Sequence, residues 1–120
     1  MRSEKRFIFY VGGIDRGNAL KKVVDPYGWD VKIIMERNRV LAVYVFCFPD
    51  IVIIEDSAKT AGLVPFVLCH LISMGARPFI ILSDDPVFEK KQIPDKATGC
   101  VLPGTTHIGK IVEIISKLTR

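Results

Sequence analysis

Short apolar runs, each cut off by charged, glycine or proline residues, recur along the chain, and the spacing inside them predicts strands and helices. Phe-Ile-Phe-Tyr-Val after Arg6 predicts a first strand over residues 6–11, stopped by Gly12-Gly13. Leu20, Val23 and Val24 share one face at helical spacing and predict a helix over 17–24, ended by Pro26-Tyr27-Gly28. A second strand over 30–35 completes a strand–helix–strand unit long enough for a parallel crossover. Residues 40–48 read two ways. Their β-branched and aromatic content favours a strand; their place between two parallel strands favours a buried crossover helix, which is the expectation here.

The run Pro49-Asp50-Ile51-Val52-Ile53-Ile54 then breaks into two carboxylates, Glu55 and Asp56. Such a run suits a third strand over 51–54, buried on both faces of a parallel sheet. A helix over 64–74 follows, with Pro65 in its first turn and Gly75 at its end. Residues 78–82 predict the fourth strand, and Asp84-Asp85-Pro86 opens a short turn or helix reaching 91. The polar stretch 89–96 predicts a surface loop. A fifth strand over 99–102 is stopped by Pro103-Gly104. Thr105 or Thr106 caps a last helix whose Ile108, Ile111, Val112, Ile115 and Leu118 recur at three- and four-residue spacing. Strands alternating with helices in this way predict an α/β fold. It is a doubly wound, five-stranded parallel sheet of flavodoxin-like order 2-1-3-4-5, in one domain over 1–120.

Composition narrows the class. With 49% apolar residues the chain is not a disordered one, and no run approaches the roughly 18 apolar residues of a membrane span. The charged start, Met1-Arg2-Ser3-Glu4-Lys5-Arg6, leads into a strand without the apolar segment of a signal peptide. Cys47, Cys69 and Cys100 make an odd count without metal-type spacing, each in or beside an apolar run. They read as buried hydrophobes in a reducing, cytoplasmic setting. The net charge of +4 is dispersed rather than gathered in a stripe, so neither nucleic acid nor membrane is an expected partner.

Ligands of open α/β sheets gather beyond the carboxyl ends of the strands, which is where Glu55 and Asp56 stand. Asp15, Asp84 and Asp85 border the same edge; the last two read as a helix cap and Asp15 as a loop residue, so no metal site and no cofactor is expected. Gly12, Gly13, Asp15 and Gly17 lie between a strand and a helix, as phosphate loops do, and form a possible ligand turn. That turn lacks the Lys-Ser/Thr end of a nucleotide loop and the dinucleotide spacing, so a tight turn is the preferred reading. Adjacent Cys69 and His70 diverge by about 100° on a helix and read as packing and surface residues. His107 reads as a surface residue near the pocket mouth.

Four segments in order carry a family resemblance: "PDIVIIE" over 49–55, "PFIILSD" over 78–84, "ATGCVLPG" over 97–104, and the final helix. Together they resemble the receiver domain of two-component response regulators. The resemblance implies two metal-binding acids after the first strand, a phosphoacceptor Asp ending the third, a hydroxyl after the fourth and a Lys after the fifth. In this chain those positions hold Gly12 and Gly13, Glu55, Ser83, and Pro103. Only the hydroxyl is kept. Phosphoryl transfer rests on positioning and on neutralising charge at the phosphate oxygens, and magnesium needs carboxylate oxygens. Glu55 also carries its carboxylate about 1.5 Å further out than Asp does.

The expectation is therefore a degenerate receiver, or pseudo-receiver: not an enzyme and not phosphorylated, acting through a protein partner or self-association as a homodimer. Its first candidate surface is formed by the fourth helix, fifth strand and last helix. Glu55 has two readings: a fixed charge that imitates a phosphorylated Asp and meets Ser83, or a solvated carboxylate in a decayed pocket. The alternatives to the whole are a small-ligand or nucleotide-binding protein using the Gly12–Gly17 turn, and a divergent phosphoacceptor.

Overall fold

The computed structural model describes residues 5–35, 49–55, 78–83 and 99–119. Five strands, β1 (Phe7–Val11), β2 (Asp30–Ile34), β3 (Ile51–Glu55), β4 (Phe79–Leu82) and β5 (Gly99–Leu102), form one sheet in the order β2-β1-β3-β4-β5. Every neighbouring pair is parallel. This is the fold and strand order that the hydrophobic pattern predicts, with β3 at the centre.

The central strands read as unbroken apolar runs because both of their faces are covered. Ile8, Tyr10, Ile51, Ile53 and Ile80 are fully buried on one face, and Phe9, Val11, Val52, Ile54, Phe79 and Ile81 on the other. At the edge, β2 shows Asp30 and Lys32 to solvent while Val31 and Ile34 are buried. Helices α1 (Ile14–Val24) and α2 (Ile108–Leu118) pack on the first face. Leu20 and Val24 of α1 and Ile111 and Ile115 of α2 join Ile8, Tyr10, Val31, Ile51, Ile53, Ile80 and Leu82 in one cluster. Each such aliphatic side chain contributes about 1.5–3 kcal/mol through its burial.

Local departures from the sequence expectation have physical reasons. Helix α1 begins at Ile14 rather than at Gly17, and Gly17 sits within it, where a Cβ would lie 2.7 Å from Ile33 Cδ1. The glycine lowers helix propensity but lets α1 settle onto β2. Val23 is 41% exposed and does not share the buried face of Leu20 and Val24. After α1, Asp25–Tyr27 form a 3₁₀ turn, closed by Gly28 in the left-handed region (φ 74°), where its missing Cβ removes the usual penalty. β1 starts at Phe7 and β4 at Phe79, β2 stops at Ile34 with Met35 exposed, and β3 runs on to include Glu55.

The cap of α2 is His107, not Thr105 or Thr106: Gly109 N–H donates to His107 Nδ1 at 3.4 Å. Thr106 is otherwise engaged, its hydroxyl donating to the Pro103 carbonyl at 2.5 Å. Cys100 is half-buried rather than fully buried, and its burial pushes the thiol pKa up. The helices expected over 40–48, 64–74 and 84–91, the polar loop 89–96, and Cys47, Cys69 and His70 lie outside the described residues. Among the described residues no helix is long and apolar enough to cross a membrane.

Candidate functional site

Register places the site. Tyr10 of β1 stands opposite Ile53 of β3, so Glu55, two residues on, shares the face of Tyr10 and lies one diagonal further toward the carboxyl edge. The phenol spans that diagonal: the Tyr10 hydroxyl donates a hydrogen bond to Glu55 Oε2. The other carboxylate oxygen, Oε1, accepts from the backbone N–H of Gly13 at 3.3 Å. Gly13 is the N-cap of α1. The Glu55 carboxylate thus occupies the seat an anion takes at a helix N-terminus.

Gly12 makes this arrangement possible. A Cβ built on Gly12 would lie 2.7 Å from Glu55 Cβ and 2.9 Å from Glu55 Cδ. Those distances are well inside van der Waals contact, and the first is to an atom that backbone placement fixes. The glycine and the longer acid therefore belong together, since the Glu55 side chain fills the volume that a side chain at position 12 would need.

The environment is strongly polarised. Burial, then the hydrogen bond to Glu55, then the Glu55 charge push the Tyr10 phenol well above its ordinary pKa, and the Arg16 charge partly opposes them. The phenol is thus held as a neutral donor. Ser83 follows β4 and is 6% exposed, its N–H donating to the Leu102 carbonyl at 2.9 Å. Pro103 follows β5 and is exposed.

Of the residues singled out from sequence, the fold brings Gly12, Gly13 and Glu55 into contact, and sets Ser83 and Pro103 at the ends of the next two strands. Asp15 is not in a loop; it is exposed in the first turn of α1. The turn from strand to helix comprises Gly12 and Gly13, and Gly17 lies inside α1, close against Ile33. His107 is exposed. Asp56, Asp84 and Asp85 lie outside the described residues. Among the described residues, no group of three His, Cys, Asp or Glu side chains is spaced to hold a metal ion.

Two site residues escape a sequence reading. Tyr10 looks like any core aromatic until register shows what its hydroxyl meets. Arg16 is one dispersed basic residue in the sequence, yet its guanidinium donates to the carbonyls of Gly104 and Thr106, on the loop between β5 and α2.

No protein-family model matches the chain, and no curated protein matches it. Solved structures do. The chemotaxis protein CheY4 of Vibrio cholerae superposes with a TM-score of 0.79 at 14% identity, covering 96% of this chain and 99% of that one. The receiver domain of the Francisella response regulator 1452 gives 0.73 at 14% identity, covering 95% and 96%. The N-terminal domain of the nisin resistance regulator NsrR gives 0.77 at 13% identity, covering 98% and 100%. The chain has the fold of the CheY-like receiver domains over nearly its whole length.

Proposed function

We propose that this chain is a receiver-like signalling module that works through protein contact and does not accept a phosphoryl group. The observation that carries the reading is the state of the acceptor position. Glu55 fills the space above Gly12, accepts hydrogen bonds from Tyr10 and Gly13, and takes the anion seat of α1. Both carboxylate oxygens are thus already hydrogen-bonded, which restrains the carboxylate from turning toward a phosphodonor. Gly12 and Gly13 offer no oxygen side chain for magnesium, and Pro103 offers no cation for the phosphoryl oxygens.

The contact surface is the face of β5 and α2, with exposed Lys110 of α2 as its charged position, while Glu113 and Lys117 line a pocket with Tyr27 and Trp29 on the other flank of the helix. The occupant is a protein partner or a second copy of the chain. No chemical step is assigned to the site.

The test is association measured twice, by sedimentation of the purified chain and by capture of its partner, with and without a small phosphodonor and Mg²⁺. The expected result is an affinity that the phosphodonor leaves unchanged and that Lys110→Glu weakens. Association that appears only with the phosphodonor contradicts the reading.

A further inference from the structure

Short-range bonds shape the loop joining β5 to α2. Thr106 N–H donates to the Pro103 carbonyl at 3.0 Å and Thr106 Oγ1 to the same oxygen at 2.5 Å. The first turn of α2 hangs from His107, whose carbonyl accepts from Lys110 N–H at 3.0 Å and from Ile111 N–H at 3.2 Å. Such bonds shape the loop locally.

An anchor comes from a residue far away in sequence. Arg16, in the first turn of α1, donates through Nη1 to the Gly104 carbonyl and through Nη2 to the Thr106 carbonyl. A planar guanidinium holds two acceptors in a fixed fork, and charge-assisted bonds of this kind are roughly twice as strong as neutral ones. An ammonium presents a single point charge and does not reproduce the fork. Arg16 thus ties the two ends of a three-residue stretch, Gly104 to Thr106, to the helix whose N-terminus also holds Glu55. Pro103, at the loop's start, has neither an N–H nor a charge with which to make such a tie.

We infer that Arg16 is a latch: it fixes the β5–α2 loop, and through it the start of α2, in one position, so that the β5–α2 face is presented in a single arrangement without a phosphoryl signal. The inference rests on the proposed function for what that face does, and on the two carbonyl bonds for the latch itself. Arg16 is a positioning residue.

Amide hydrogen exchange on the whole chain reads the latch directly, in the wild type and in the Arg16→Ala, Arg16→Gln and Arg16→Lys variants. In Arg16→Ala the amides of Thr106, Lys110 and Ile111 are expected to exchange about tenfold faster or more, as loss of charge-assisted hydrogen bonds implies. Arg16→Lys is expected to fall between Ala and wild type, while amides of β1 and β2 keep their wild-type rates. Wild-type exchange at Thr106, Lys110 and Ile111 overturns the latch. So does uniform acceleration across the sheet, which would make Arg16 a general stability residue. Should Arg16→Ala not fold, the Gln and Lys variants carry the same comparison. Exchange is measured without a partner, so its failure leaves the proposed function standing, and phosphodonor-dependent association would overturn that function while leaving the exchange result intact.

Discussion

Gly12 lies directly beneath the side chain of Glu55, so close that a methyl group at position 12 would stand 2.7 Å from Glu55 Cβ. The two positions are thus one unit, in which adding bulk at either requires removing it from the other. Gly12→Ala alone is expected to destabilise the domain by about 1–3 kcal/mol through overpacking. Combined with Glu55→Gly, which removes the clashing Cβ as well as the rest of the side chain, it should cost clearly less than the sum of the two single variants. Urea unfolding of the four members of this cycle measures the coupling. Additive costs would show that the two side chains do not compete for space.

The Tyr10 hydroxyl gives a second prediction. Tyr10→Phe removes a donor from the part-buried Glu55 carboxylate and should cost about 1–3 kcal/mol near neutral pH. The pH dependence has a definite sign. The phenol is held above its ordinary value, first by burial and then by its bond to Glu55. The folded chain therefore keeps a proton that the unfolded chain releases above about pH 10. Its contribution is complete below that pH and is lost as pH rises further. Unfolding midpoints followed from neutral pH to about pH 11 should fall more steeply in the wild type than in Tyr10→Phe. Parallel curves would sink the assignment.

Helix α1 supplies a third. At Gly17 a Cβ would meet Ile33 Cδ1 and Cγ1, each at 2.7 Å. Gly17→Ala raises helix propensity by up to about 1 kcal/mol, so propensity alone predicts stabilisation. Contact predicts the reverse, a loss of about 1–3 kcal/mol, reduced when Ile33→Ala opens the space. The sign of the Gly17→Ala change in thermal unfolding decides between them.

The sequence made the sheet legible because its strands are buried on both faces, which writes them as apolar runs without alternation. It also placed Glu55 at the right edge, since a carboxylate ending such a run has only the strand's carboxyl end to occupy. Contacts between residues far apart in the chain were not legible. Tyr10 needed the β1–β3 register, and Arg16 needed the packing of α1 beside the β5–α2 loop. The start of α1 was hidden for a related reason: Gly17 is a poor helix former kept for close approach to Ile33. At α2, threonine is the better cap by type, but Thr106 bonds Pro103 and leaves the cap to His107.

The central claim is that Glu55, held over Gly12 by Tyr10 and Gly13, takes no phosphoryl group. Intact mass after incubation with a small phosphodonor and Mg²⁺ tests it most directly. The account predicts an unchanged mass. A stable gain of one phosphate, located by fragmentation on Glu55 or Asp56, would contradict it.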